Sequence, residues 1–135
     1  MTKLFVRLIK CTDLADKDLI GETDPYVKLE LKQDNVFRDK DFGYQMSTKK
    51  QNDRNPIWNE DFWFANVPND LDNMVLDCSI FDEDIGSRDD KCGKCKIDLE
   101  KEDLSSECKR ITKTISRSIL HNNSKIYLEV ALVDE

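Results

Sequence analysis

A chain of 135 residues with 39% hydrophobic side chains is long enough to bury one core and too apolar to be compositionally disordered. Its 28 acids against 21 bases leave a net charge of −7, the wrong sign for a nucleic-acid binder and a suitable one for a cation site on a mixed surface. The five cysteines, at 11, 78, 92, 95 and 108, are odd in number and too sparse for a disulfide scaffold, so a reduced, cytoplasmic chain is expected.

Leu4-Phe5-Val6-Arg7-Leu8-Ile9-Lys10-Cys11 reads as a strand, with Leu4, Val6 and Leu8 on one face. Arg7 interrupts its apolar residues, so neither a signal-peptide core nor a membrane span is expected there. An acidic loop follows, from Asp16 to Tyr26. Tyr26 to Lys32 then alternates, with Val27, Leu29 and Leu31 inward. Residues 33–41 are polar and turn-like, and a weaker strand is expected from about Tyr44 to Lys50. Asn52-Asp53-Arg54-Asn55-Pro56 is a turn, because Pro56 fixes its own φ and disfavours helix at Asn55.

Ile57 to Ala65 is the next strand, with Trp58, Phe62 and Phe64 on one face and Trp63 on the other. Val67 to Asp72 connects it to an apolar run, Met74 to Phe81, which feeds a second acidic loop closed by Gly93. Cys95, Ile97 and Leu99 alternate with polar residues, and Glu100 to Glu107 is a connection with room for one helical turn. Ile111 to Ile115 and Ile126 to Val133 are the last strands, with a turn at Asn122-Asn123-Ser124. Short strands at this spacing, with no apolar period of 3.6, predict a single antiparallel β-sandwich over residues 1–135.

Should the fold bring the two acidic loops together, the carboxylates of Asp18, Asp24, Asp82, Asp84 and Asp90 converge. Two unit charges about 5 Å apart at an effective dielectric of about 20 repel by roughly 3 kcal/mol, so such a cluster requires a cation. An EF-hand does not fit: counted from Asp16, Ile20 and Val27 fall where oxygen ligands are needed, and counted from Asp82 the glycine arrives one residue early.

The acids have a further pattern. Asp18 and Asp24-Pro25-Tyr26-Val27 place acids six apart; Asp82, Asp84 and Asp90 stand at relative positions 0, 2 and 8; Asn55-Pro56-Ile57-Trp58-Asn59-Glu60-x-Phe62-x-Phe64 lies between. In this order the chain resembles a C2 domain, the calcium- and phospholipid-binding module of conventional protein kinase C and the synaptotagmins, from about Leu4 to Val133. The resemblance implies an eight-stranded antiparallel Greek-key sandwich with both acidic loops at one end. It also implies that Asp18, Asp24, Asp82, Asp84 and Asp90 hold two or three calcium ions, helped by the carbonyls of Lys17 and Glu83 and the hydroxyl of Ser87. A first strand leading straight into the first acidic loop, and a strong strand closing the chain, resemble the permuted phospholipase-type topology.

Two bound calcium ions would move the net charge from −7 to −3, and three to −1, so the loop end would turn toward anionic phospholipid membrane. Leu19 and Ile20 on the first loop and Ile85 on the second are the candidate membrane contacts, at about 0.8 kcal/mol per buried CH₂. Lys49 and Lys50, just before the Asn-Pro turn, fall where many C2 domains carry a basic groove for lipid headgroups.

Cys92-Gly93-Lys94-Cys95 has the spacing of a zinc or redox pair, but no second ligand pair exists and alternation places Cys95 in the core, as it does Cys78. His121, the single histidine, is expected on the surface, as is Trp63. No nucleophile–base pair surrounds that histidine, so the chain is not read as an enzyme. Two functions remain: a calcium-triggered membrane-targeting module, and an adaptor for a protein partner in which calcium is structural or dispensable.

Overall fold

The computed structural model describes residues 2–14, 24–35, 38–83, 88–116 and 124–134, with Asp90 described in its backbone alone. Its strands are β1 (Thr2–Thr12), β2 (Pro25–Gln33), β3 (Lys40–Met46), β4 (Ile57–Val67), β5 (Met74–Asp82), β6 (Asp90–Asp98), β7 (Lys109–Thr114) and β8 (Lys125–Asp134). They form two antiparallel sheets, ordered β4-β1-β8-β7 and β3-β2-β5-β6. The all-β sandwich is as expected, and so is the permuted order, with the C-terminal strand inserted between β1 and β7.

Period-two alternation sets the core. Leu4, Val6 and Leu8 of β1 and Leu128 and Val130 of β8 are fully buried, with Val27, Leu29 and Leu31 of β2 and Leu76, Cys78 and Ile80 of β5 in the same cluster. Charged residues at the intervening positions, such as Lys28 and Glu30, stay partly exposed. The sheets are tied along both sides. On one, Lys94 and Ser116 exchange backbone hydrogen bonds of 3.1 and 2.8 Å. On the other, the Trp58 indole Nε1–H donates to the Thr48 carbonyl at 2.8 Å and Gln45 Nε2 donates to the Trp63 carbonyl at 3.2 Å.

Among the described residues, every non-glycine with positive φ is asparagine or aspartate: Asp13, Asn52, Asn59, Asn66, Asn73 and Asp103. These side chains tolerate the left-handed region best after glycine. Asn59 and Asn66 sit where the register of β4 against β1 shifts, so they mark bulges that bend β4 over the core.

The structure departs from the sequence reading most at β3 and after β6. The weak strand expected at Tyr44–Lys50 is β3, Lys40–Met46, because Lys40 and Asp41 pair with Gln33 and Lys32 and Phe42 packs against the core. Residues 47–50 leave the ladder but stay tied to β2: the Ser47 N–H donates to the Val27 carbonyl at 2.8 Å, and Lys50 N–H to the Pro25 carbonyl at 3.0 Å. Beyond β6 the chain makes a turn, with Glu102 N–H donating to Leu99 at 3.4 Å, and no helix.

Candidate metal centre

Strand register builds the acidic pole. Pro25 stands opposite Asp82 across β2 and β5, and Asp82 stands opposite Asp90 across β5 and β6. Neighbouring strands are about 4.8 Å apart, so the end of the first acidic loop and both ends of the second leave the sandwich side by side. The Asp24 N–H donates to Asp82 Oδ1 at 2.9 Å, and the Glu83 N–H donates to the Asp24 carbonyl at 3.0 Å.

The Asn-Pro turn clamps this pole from a third direction. Asn52, at φ 49°, donates its N–H to Asp24 Oδ1 at 2.7 Å and so fixes that carboxylate. Asn55 Oδ1 accepts the Asp13 N–H at 2.9 Å, and Leu14 and Arg54 exchange bonds of 2.9 Å in each direction. The Ser124 hydroxyl donates to the Asp13 carbonyl at 2.6 Å. The mouth of the first loop is therefore held by the turn and by the start of β8.

Tyr26 links the pole to the sheet. Its ring stacks on Phe81 with centroids 5.4 Å apart, and its hydroxyl donates to Asp89 Oδ2 at 2.6 Å. Burial, then the bond to Asp89, pushes the phenol up to about 12. Lys49 Nζ lies 2.9 Å from Glu83 Oε2 and 5.5 Å from the Tyr26 ring centroid. The Glu83 hydrogen bond, aided by the charges of Glu83 and Asp89, raises the Lys49 ammonium above its usual range. Asp24, Lys49, Lys50, Gln51 and Glu83 line a cavity of about 170 Å³.

Of the expected site residues, Asp24, Asp82 and Glu83 meet at this pole, and the backbone of Asp90 starts the strand beside Asp82. Asp18, Lys17, Asp84 and Ser87 lie outside the described residues, as do Leu19, Ile20, Ile85 and His121. Among the described residues no group of three or more His, Cys, Asp or Glu is arranged to hold a metal ion. The donors that do meet are oxygens, the set that suits a hard cation. Sequence reasoning missed Tyr26, Asn52 and Asp89. Asn52 and Asp89 stand beside singled-out motifs, but only the tertiary structure reveals their partners.

Across the sheet, Cys95 of the Cys92–Cys95 spacing meets Cys78, and both are buried in the core. Their shared hydrogen bond, together with full burial, pushes the Cys78 thiol up, and burial does the same to Cys11.

Two four-stranded sheets with acidic loops leaving one pole define a C2-type β-sandwich, and the family model for the C2 domain matches residues 2–114. The chain belongs to the C2 domain family. It is similar to Synaptotagmin-C of Diplobatis ommata, 40% identical over 126 residues, covering 91% of this chain and 21% of that protein. It is also similar to Synaptotagmin-10 of Rattus norvegicus, 41% identical over 106 residues, covering 77% of this chain and 19% of that protein. The chain thus spans about a fifth of the length of these curated relatives. A C2 domain of plant Extended Synaptotagmin 1 superposes with a TM-score of 0.82 at 27% identity, over 98% of this chain and 95% of that one. Human GIVD cytosolic phospholipase A2 superposes with a TM-score of 0.75 at 26% identity, over 99% of this chain but 17% of that one.

Proposed function

We propose that this chain is a non-catalytic module that targets anionic phospholipid membrane in response to calcium, at the cytoplasmic face. The observation that carries the reading is the juxtaposition of Asp24 and Asp82, bonded at 2.9 Å, with Asp90 opening the next strand. Two loops 58 residues apart in sequence thereby present acids to one volume. In this reading Asp18, Asp24, Asp82, Asp84 and Asp90 hold two or three ions, and the carbonyls of Lys17 and Glu83 and the Ser87 hydroxyl add oxygens. When bound, calcium supplies concentrated positive charge and coordination positions open to anionic oxygen.

The chain supplies the rest. The N–H groups of Asn52 and Asp24 orient the carboxylates of Asp24 and Asp82 before any ion arrives. Leu19, Ile20 and Ile85 enter the boundary between headgroups and acyl chains, and Lys50, lining the cavity beside Asp24, faces a lipid phosphate. Because lipid completes a site that calcium opens, each tightens the other by the same factor. Sedimentation with phosphatidylserine vesicles is the test. The chain is expected to pellet with calcium and to stay in solution with a chelator, and Asp82→Asn is expected to stay in solution in both. Equal pelleting with and without calcium would overturn the trigger, and no pelleting at all would favour the adaptor for a protein partner.

A further inference from the structure

Glu83 and Asp89 bracket residues 84–87, one at each base of the second acidic loop. Lys49 reaches them from a separate segment, between β3 and the Asn-Pro turn. That segment is anchored on both sides of the lysine: Ser47 N–H bonds to Val27 at 2.8 Å, Lys50 N–H to Pro25 at 3.0 Å and Asn52 N–H to Asp24 Oδ1 at 2.7 Å. With its backbone held, Lys49 lays its ammonium 2.9 Å from Glu83 Oε2 and over the face of Tyr26, whose hydroxyl holds Asp89 at 2.6 Å. One ring thus carries a cation on its face and an acid on its edge, and the Lys49 charge acts on both Glu83 and Asp89, at the two bases of the loop.

We infer that Lys49 is the resident counter-cation of the acidic pole and sets its calcium affinity, and that it is not a lipid-headgroup ligand. This rests on the calcium reading above. Without metal, the ammonium offsets repulsion among the carboxylates. With metal, it repels the incoming ion, so the site stays weak. Coulomb's law for a unit charge and a divalent ion roughly 8 Å apart in a water-like dielectric gives on the order of a fivefold weakening. Salt screens the effect.

The test is calorimetric titration of calcium chloride into the full chain without lipid, at low and at high salt. Lys49→Met keeps the stem against Tyr26 and removes the charge, Lys49→Arg keeps the charge, and Lys101→Met makes the same charge change beyond the far end of β6. Lys49→Met is expected to bind calcium several-fold more tightly at low salt, to approach the wild type at high salt, and to melt earlier in chelator. Lys49→Arg and Lys101→Met are expected to bind as the wild type does. Unchanged or weaker calcium binding by Lys49→Met overturns the inference, and unchanged calcium binding with weaker vesicle binding at saturating calcium would return Lys49 to the headgroup role. A wild-type chain that gives no calcium heat in buffer or with phosphatidylserine vesicles removes the calcium reading itself, and the inference with it.

Discussion

Trp63 illustrates how a residue can be placed correctly by pattern and still be understood only through its neighbour. Alternation along β4 turns it outward, and it is 48% exposed. Its register partner is Phe5, with ring centroids 4.9 Å apart, and Phe5 on the solvent face of β1 is only 8% exposed. The indole is a cover. Trp63→Ala should therefore cost about 1 kcal/mol beyond the area it uncovers, measured as a lower urea midpoint with little change in slope. Glu100 makes a contrasting case at the opposite pole. The charge of Asp72, with further repulsion from Asp98 and Asp70, pushes the carboxyl of this exposed side chain up. A raised folded pKa means the fold prefers the protonated form, so this side chain disfavours folding above its folded pKa and ceases to do so as pH falls below the unfolded value. Glu100→Gln is expected to melt slightly later than the wild type at neutral pH. The difference should vanish below the ordinary carboxylate range, as thermal melts at the two pH values will show.

At the scale of elements, β8 matters more than its place at the chain end suggests. It pairs with β1 over nearly its whole length and with β7 along all six residues of that strand. It also lies outside the residues that the family model matches, 2–114. A chain stopped after Ser116 would expose the inner edges of β1 and β7 and lose the buried Ile126, Leu128 and Val130. Such a chain is expected to show no cooperative transition on heating when followed by circular dichroism. Retention of a sharp transition would mean that β1 and β7 can close the sheet directly. The strands with clean alternation, β2, β5 and β8, were legible from sequence because burial on one face writes a period of two. β3 was legible only in part: its inward positions are few, its pairing with β2 shifts register after Glu30, and its start depends on partners at Lys32 and Gln33.

For the whole molecule, the decisive property is a net charge of −7 on a sandwich that gathers several acids at one pole. A ligand that binds only the folded state stabilises it by mass action, by about 2.7 kcal/mol at 100 times its dissociation constant. Calcium at that excess is therefore expected to raise the melting temperature by on the order of 10 °C. Magnesium, which demands a tight octahedron and keeps its waters, should raise it less. Differential scanning calorimetry with each salt, and with chelator, checks this, and equal shifts for the two ions would contradict a loop-built calcium site.

The amino-acid sequence by itself determined the β-sandwich, the permuted strand order, the family and the acids worth watching, because burial, turn chemistry and motif spacing are local and repeat along the chain. Which groups touch was decided by the tertiary structure. That Asp24 donates to Asp82 and that Cys95 faces Cys78 follow from register between strands far apart in sequence, and that Asn52 holds Asp24 and Lys49 pairs with Glu83 follows from where the connection between β3 and β4 crosses the pole. A one-residue shift in that register would keep every pattern in the sequence and replace the partners across the strands.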